Sequence, residues 1–322
     1  MISLIIPHSN QLLELLNLLS GINKWDLKPD EIIIVDSSNH ALHVKTCVTE
    51  VLLKTDIKFE LIHRAHAYPG AARNIGINIS KGEFLAFLDV KTIPQKNWLD
   101  SAMNLLSTHP EAGGVFGSTQ YIANNYIAKL IRMATYGIAP LRTLPGSLFR
   151  RDTMYISGQF IESTRAGEDT DWMIRLNLHK LNILNAKSIV SYDGLDNISI
   201  FKLLKKWFRN YRYAAKLPYL YAHKSLYYHA LVLLILFVAF NWNWIIAGWN
   251  SESDFYIPHF TKIVFILVLI SYIFVRGIWV PINKGATYSD LMPLKWIFVA
   301  CISAALDLTK TLAFIRGRWL RE

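Results

Sequence analysis

Acidic residues that end apolar runs are the first chemical signal in the sequence. The stretch "GEFLAFLDVKT" ends such a run at Asp89, and "EIIIVDSS" ends another at Asp36. Runs of this kind predict buried strands, and carboxylates can hold a divalent cation. A metal site would use a second acid beside Asp89, but the next charged residue is Lys91. The sequence thus places a positive charge where a second carboxylate would serve.

A second acidic pair, Glu168 and Asp169, lies in "AGEDTDWMIRL". Gly167 and the periodic run that follows place these acids in the first turn of a predicted helix. The helix dipole favours ionised carboxylates there, and a general base must be ionised. The alternative is a pair of helix-start acids with no chemical role. Asp171 and Arg175, four residues apart, have the spacing of a structural ion pair.

The elements that must position these acids alternate between strand and helix over the first 195 or so residues. Such alternation predicts a parallel sheet with helices on both faces. The carboxyl ends of the strands then form the binding crevice, where Asp36 and Asp89 fall. Strands are predicted at 2–7, 31–36, 58–64 and 84–88, and helices at 11–19, with Asn10 as its cap, at 43–54 and at 70–80.

Several common site types have no support in the sequence. It contains no Walker motif, no G-x-G-x-x-G after a predicted strand and no G-x-S-x-G elbow. Cys47 and Cys301 are far apart and match neither a disulfide framework nor a zinc spacing. The first apolar run lacks a basic flank and is interrupted by Pro7. It therefore predicts a strand rather than a signal peptide, with the amino-terminal part in the cytoplasm.

Positive charge and hydrophobicity are concentrated toward the carboxyl end. The net charge of +10 indicates an anionic partner. Residues 198–225 hold seven Lys or Arg and no acid, interleaved with Tyr and Trp. This pattern suits an anionic membrane surface, or else a solvated basic helix. Because apolar runs follow directly, we expect membrane lipids as partners and no nucleic acid.

Two apolar runs, at about 226–249 and 260–282, are long enough to cross a bilayer. The loop between them has two acids and no Lys or Arg, so the positive-inside rule places both basic sides in the cytoplasm. A re-entrant hairpin would give much the same pattern. The third segment, at about 291–315, contains Lys295, Asp307 and Lys310 and predicts an interfacial or partly inserted helix.

Five local patterns then occur in a fixed order: "LIIPHSN", "EIIIVDSS", "GAARNIGINISKGEFLAFLDVKT", "GSLFRRD" and "AGEDTDWMIRL". The series resembles the family 2 glycosyltransferases, inverting enzymes of the GT-A fold that use nucleotide sugars. The resemblance covers roughly residues 1–190. It implies an α/β fold, a mainly parallel GT-A sheet with flanking helices, here followed by a helical membrane region. It divides the chain into a catalytic domain (1–197), a basic amphipathic interface helix (198–225) and a membrane region (226–322).

The resemblance also implies roles for residues that bind the nucleotide sugar. Pro7 and Asp36 would hold the nucleobase and ribose, and Arg73 would face the nucleotide or brace its loop. Asp89 matches the first acid of the family's usual pair, and Lys91 replaces the second, which ligates the divalent ion. Either the ammonium supplies part of the charge of Mg²⁺ or Mn²⁺, or Asp89 and water hold the metal. Loss of activity is the third alternative.

By the same resemblance Asp169, with Glu168 beside it, is the general base that deprotonates the acceptor hydroxyl. Arg209 and Arg212 are candidates for binding phosphate, or equally a lipid headgroup. The segment "KKWFRNYRY" lacks the Gln-x-x-Arg-Trp signature of processive polymer synthases. A single sugar transfer is therefore expected rather than chain synthesis.

The predicted function is that of an inverting glycosyltransferase at the inner (plasma) membrane, with its catalytic domain on the cytoplasmic face. It would move a sugar from a nucleotide sugar to a lipid-linked glycan acceptor in cell-surface polysaccharide or glycoconjugate synthesis. A polyprenyl-phosphate sugar synthase is the nearest alternative. A catalytically silent membrane scaffold of the same fold is the other.

Overall fold

A computed structural model describes residues 1–218 and 225–319. Its strands form one sheet, and its helices pack on both faces of that sheet and beyond its end. The strands are β1 (Ile2–His8), β2 (Glu31–Asp36), β3 (Lys58–His63), β4 (Phe84–Phe87), β5 (Thr92–Pro94), β6 (Gly114–Tyr121), β7 (Leu141–Arg150) and β8 (Ile183–Tyr192). Their order across the sheet is β3-β2-β1-β4-β7-β6-β8-β5.

The helices follow the strands in the alternation that the sequence predicts. They are α1 (Leu12–Gly21), α2 (Ala41–Leu52), α3 (Pro69–Ile79), α4 (Trp98–Thr108), α5 (Tyr126–Ala134), α6 (Arg151–Ser157), α7 (Glu168–Leu178), α8 (Ile200–Ala214), α9 (Ser225–Ile245), α10 (Phe260–Phe274), α11 (Val280–Asn283), α12 (Tyr288–Leu291) and α13 (Lys295–Trp319). A π-helical turn, Val275–Trp279, joins α10 to α11.

Strands β3, β2, β1 and β4 are mutually parallel and form the half of the sheet that carries the predicted crevice. The runs of β1, β2 and β4 are buried on both faces, as the apolar continuity of parallel strands requires. Strand β7 pairs antiparallel with β4 and β6, while β6 and β8 are parallel. The expectation of a mainly parallel sheet with flanking helices is confirmed.

Local boundaries differ from prediction by a few residues, and one predicted cap is wrong. Asn10 has a left-handed backbone (φ 51°), and its N–H donates to the Ser38 hydroxyl oxygen at 2.8 Å. The helix α1 begins after Gln11 instead, with no side-chain cap. Asn tolerates the left-handed region better than most residues, so here it turns the chain from β1 into α1.

The carboxyl-terminal helices build a separate apolar core against α5 and α8. Leu203 of α8, Ile131 of α5 and Leu306 of α13 are fully buried in it. Gly317 permits close packing, because a Cβ there would collide with the Arg212 carbonyl oxygen. Helix α8 thus covers 200–214 of the basic helix predicted for residues 198–225 and packs on α13 along one face. Residues 219–224 of that prediction lie outside the described residues.

Among the described residues, two helical stretches are long and apolar enough to cross a membrane, Lys262–Asn283 and Lys295–Arg318. The stretch Lys262–Asn283 corresponds to the apolar run predicted at about 260–282. The other covers the segment predicted as interfacial, so a full span and an interfacial helix stay alternatives for it. Helix α9 covers most of the first predicted run.

Three charged residues of these stretches, Arg276, Asp307 and Lys310, lie together. Both Arg276 and Tyr272 donate to the Asp307 carboxylate at 3.0 Å. The Lys310 ammonium lies 3.8 Å from the same carboxylate and 4.5 Å from the Trp207 ring centroid of α8. Mutual pairing lowers the cost of placing such groups in an apolar environment.

Candidate active site

The carboxyl ends of β1 and β4 open into a cleft of about 730 Å³. Its walls come from the β1–α1 and β4–β5 loops, the start of α3, the start of α7, the segment after β8 and one face of α8. This is where ligands bind in open α/β sheets. Of the residues predicted to bind the donor or catalyse transfer, six line it: Pro7, Arg73, Asp89, Lys91, Glu168 and Asp169.

Arg73 of α3 joins two predicted acids across the cleft. Its guanidinium donates to Glu168 Oε1 at 2.7 Å and to Asp89 Oδ1 at 3.0 Å. Pro69 begins α3 and pre-sets its first turn. The side chain of Arg73 is only 5% exposed, so these carboxylates satisfy a buried charge. Of the two roles weighed for Arg73, bracing is the one for which the structure shows contacts.

Burial and pairing oppose each other in this cluster. Burial alone would lower the pKa of Arg73, but the neighbouring carboxylates Asp89 and Glu168 outweigh it and raise that pKa. Burial also raises the pKa of Glu168, and Arg73 offsets part of the rise. The guanidinium therefore stays charged and is the common partner of both acids.

Asp169 stands at the cleft, next to Glu168 in the first turn of α7. Gly167 precedes the helix with a left-handed backbone (φ 91°), a conformation that costs glycine little. The carboxylate of Asp169 is half-buried and accepts the Thr170 N–H at 2.7 Å. Asp171 lies on the opposite, buried side, where Arg175 donates to it at 3.0 Å. The predicted ion pair between these two residues is confirmed.

Asp36 ends β2, but it is fully buried behind the cleft. One carboxylate oxygen is 2.8 Å from His8 Nδ1 and accepts the Ser38 N–H at 2.9 Å, and the other is 3.3 Å from His63 Nδ1. Burial alone would raise its pKa, but the His8 and Ser38 hydrogen bonds outweigh burial and lower it to about 2. Asp36 thus supports the carboxyl end of β1, which carries Pro7 and His8, and its contact with a nucleotide stays a prediction.

Lys91 lies between the cleft and a second cavity of about 490 Å³. Its ammonium is 3.5 Å from Glu14 Oε1 of α1. The segment after β8 crosses it, since the Asp193 N–H donates to the Lys91 carbonyl oxygen at 2.9 Å. Lys91 is therefore an orientable cation at the cleft wall, about a quarter exposed.

The described side chains of the cleft do not form a metal centre from protein ligands alone. Across the described side chains, no group of three or more His, Cys, Asp or Glu residues could hold a metal ion. Arg73 already donates to Oδ1 of Asp89, and the next charged residue is a lysine. Mg²⁺ is commonly held by one or two carboxylates together with water and substrate phosphates, so Asp89 with a bound diphosphate remains one way to hold a divalent ion.

Of the two arginines of α8 predicted to bind phosphate, only one lines the cleft. Arg209 lines the cleft, together with Lys206 and Asn210 one turn apart. Arg212 is absent from the cleft lining, and its backbone packs on Gly317 of α13. Lys206, Arg209 and Asn210 have the i, i+3, i+4 spacing of one helix face, and Arg212, six residues after Lys206, falls outside that face.

Sequence reasoning missed several residues that the fold brings to the cleft. His8 stands in the "PHS" stretch beside Pro7 and is the main partner of Asp36. Arg165 lies four residues before Asp169, and Tyr121 and Tyr192 end neighbouring strands. The position of Arg165, just ahead of the acidic pair, was a usable signal. The tyrosines had none, since only the pairing of β6 with β8 brings them together.

Two curated proteins that are similar to this chain are glycosyltransferases. The chain is 26% identical over 183 residues to an uncharacterized glycosyltransferase of Rickettsia conorii, covering 52% of this chain and 28% of that protein. It is 24% identical over 184 residues to one of Rickettsia felis, covering 52% and 29%. The chain thus spans less than a third of the length of these curated relatives.

A solved structure extends the similarity in shape to the whole chain. It is the mannosyltransferase PcManGT from Pyrobaculum calidifontis, in complex with GDP-Man and Mn²⁺, with a TM-score of 0.56 and 13% identity. The match covers 100% of this chain and 88% of that one. At this identity it supports the GT-A fold alone. The family model "Glycosyl transferase family 2" matches residues 3–164, and on that match the chain belongs to glycosyltransferase family 2.

Proposed function

We propose that the protein transfers a sugar from a nucleotide-sugar donor to a lipid-linked acceptor, with inversion at the anomeric carbon. The observation that carries this proposal is the placement of Asp169 at the cleft, beside a Glu168 that Arg73 ties to Asp89. Acids from the β4–β5 loop and from α7 thereby share one opening. A nucleotide sugar is the donor expected of the family, and the mannosyltransferase of similar fold was solved in complex with one.

Asp169 acts as the general base in this proposal. Its carboxylate takes the proton of the acceptor hydroxyl as that oxygen bonds to the anomeric carbon. The bond between the sugar and the diphosphate breaks on the opposite side, and the nucleoside diphosphate leaves with the electron pair. A single in-line displacement of this kind inverts the configuration and needs one carboxylate behind the nucleophile.

The leaving diphosphate needs positive charge, and Lys91 can supply it. Lys91 lines the cleft two residues after Asp89, with its ammonium 3.5 Å from Glu14, and preorganised charge is most effective where charge develops during reaction. A divalent ion held by Asp89, water and the diphosphate is the alternative. PcManGT, which has the same fold, was solved with Mn²⁺.

The membrane supplies the acceptor in this proposal. Helix α8 lines the cleft with one face and packs on α13 with another, and α13 holds one of the two candidate spans. The cleft therefore opens beside the elements that would lie at the membrane. A lipid-linked acceptor at the cytoplasmic face of the inner membrane fits this arrangement, and a glycan on a polyprenyl diphosphate is the main candidate.

A nucleotide-release screen tests the function. The full chain in non-ionic detergent is incubated with sugar nucleotides of different bases and with bacterial lipid extract, and released nucleoside diphosphate is measured. We expect release with one donor class that depends on the lipid extract and is lost in Asp169→Asn. Silence with every donor and extract would contradict an enzymatic function and favour the silent scaffold.

Turnover in the presence of EDTA is expected to persist within about twofold, because the Lys91 ammonium provides charge that a chelator cannot remove. Lys91→Met should then reduce kcat by roughly a hundredfold, the usual cost of removing one preorganised electrostatic group. Lys96→Met is the matched control, since Lys96 is 75% exposed and pairs with Asp26 outside the cleft. Nucleotide release measured for each variant with and without EDTA distinguishes charge supplied by Lys91 from charge supplied by a metal. Loss of turnover in EDTA would instead assign the charge to a metal at Asp89.

A further inference from the structure

A group of cations lines the cleft on the side of α7 and α8, away from Lys91. It consists of Arg165 in the loop before α7 and of Lys206 and Arg209 on α8, which we call the cationic rim. In the described part of the chain, the ion pairs of the cleft engage Arg73 and Lys91, and none engages a residue of the rim. Three cations thus face one opening without a carboxylate partner.

The members of the rim come from two separate elements that are held close together. The Tyr68 hydroxyl at the start of α3 is 3.5 Å from the Tyr213 hydroxyl of α8, and their ring centroids are 6.0 Å apart. This contact holds α8 beside the start of α3, which lines the same cleft as Arg165. Burial and the like charge of Arg165 both lower the pKa of Arg209.

Like charges brought together in this way cost free energy unless an anion lies between them. Guanidiniums prefer oxyanions that accept two parallel hydrogen bonds, as phosphate does. The chemistry of the rim therefore favours a phosphate group over a neutral sugar.

The position of the rim distinguishes the acceptor from the donor. Arg165 and the proposed base Asp169 belong to the same short segment, and the acceptor must approach that base. The opposite face of α8 carries Leu203 and Trp207, which pack in the core shared with α13. The rim thus lies on the helix that connects the cleft to α13, which holds one of the two candidate spans.

We propose that Arg165, Lys206 and Arg209 bind the phosphate of a polyisoprenoid acceptor and hold it beside Asp169. This inference rests on the proposed function, because it names the part of the acceptor that the enzyme recognises. A monophosphate or the proximal phosphate of a lipid diphosphate has the required chemistry. The donor diphosphate has it too, and is the competing source that the test must separate.

The test is equilibrium binding, which requires no turnover. The full chain in non-ionic detergent is titrated by calorimetry with farnesyl phosphate, with farnesol as the phosphate-free control, and with GDP and UDP as donor-side probes. Arg165→Gln and Arg209→Gln are each expected to weaken farnesyl phosphate by about tenfold or more, the effect of losing a charge-assisted hydrogen bond. Farnesol, GDP and UDP should bind to these variants as to the wild type.

Two controls complete the design. Lys205→Gln removes an exposed charge of α8 that does not line the cleft, and it should change no affinity. Lys91→Met should weaken the nucleotides and leave farnesyl phosphate unchanged. The proposal is overturned if the wild type does not bind farnesyl phosphate, if the Arg variants bind it normally, or if they lose GDP or UDP instead. Binding that depends on the rim would stand even if the nucleotide-release screen found no transfer.

Discussion

Asp169→Asn is expected to lower kcat by about 10²–10⁴-fold, the range over which a positioned general base contributes. The amide keeps the size and the Thr170 contact of the side chain but cannot accept the proton of the acceptor hydroxyl. The KM for the donor should stay within about threefold, because Asp169 meets the acceptor rather than the nucleotide. Initial rates of nucleoside diphosphate release, with donor and lipid varied separately, give both constants.

Asp152→Asn is the matched control for Asp169→Asn. Asp152 also lies in the first turn of a helix, α6, but it is exposed and does not line the cleft. Its loss should leave kcat unchanged, which separates base catalysis from the general effect of removing an acid at a helix start. If Asp169→Asn turns over normally, the base assignment is wrong. In that case an acceptor that is already an anionic phosphate, as in a polyprenyl-phosphate sugar synthase, becomes the better explanation.

The fold was predictable because its signals are local. Apolar runs such as Ile32–Val35 can only be buried strands in a domain of this size, and the intervening periodic segments can only return the chain across the sheet. The position of β7 between β4 and β6 was not predictable. The pairing of β4 with β7 joins residues sixty or more positions apart, and no local pattern encodes it.

The site was predictable as a set of residues but not as a set of contacts. Asp89, Lys91 and Asp169 occupy the cleft because motif order places them at strand and helix ends. Asp36 follows the same rule, yet His8 and His63 enclose it. The histidines come from neighbouring strands, so their approach depends on the register of β1, β2 and β3. A sequence shows which carboxylates end strands, but the partners that cover them depend on this tertiary register.

The bridging of Asp89 and Glu168 by Arg73 is the central contact of the site. It converts three residues from separate elements into one charged unit in the cleft wall. The β4–β5 loop and the helix that carries the proposed base are thereby fixed relative to each other. Such positioning matters because small displacements of a catalytic group reduce rates severely.

Arg73→Met should therefore lower both stability and activity. Removing one partner of a buried ion pair costs about 3–5 kcal/mol, since the remaining carboxylate is left buried without a counter-charge. We expect the melting temperature of the catalytic domain to fall by roughly 10 °C, with kcat reduced at temperatures where the variant is still folded. Thermal unfolding in detergent, monitored by circular dichroism, measures the loss of stability. Arg73→Lys should have a melting temperature and a kcat between those of the wild type and of Arg73→Met, because one ammonium cannot bridge both acids as a guanidinium does.

The pH dependence of Arg73→Met separates loss of charge pairing from loss of packing. Burial already raises the pKa of Glu168 above its ordinary 4.5, and without Arg73 that pKa rises further. A carboxyl whose pKa is higher in the folded protein than in the unfolded chain destabilises the fold as pH increases above the unfolded value. The variant should thus be closer to the wild type at about pH 5 than at about pH 8. Arg73→Met combined with Glu168→Gln should recover part of the loss at the higher pH. The Arg73 guanidinium carbon also lies 5.6 Å from the centroid of the Phe160 ring. An equal loss at both pH values, with no recovery in the double variant, would show that Arg73 stabilises the protein by packing against Phe160 rather than by pairing with Glu168.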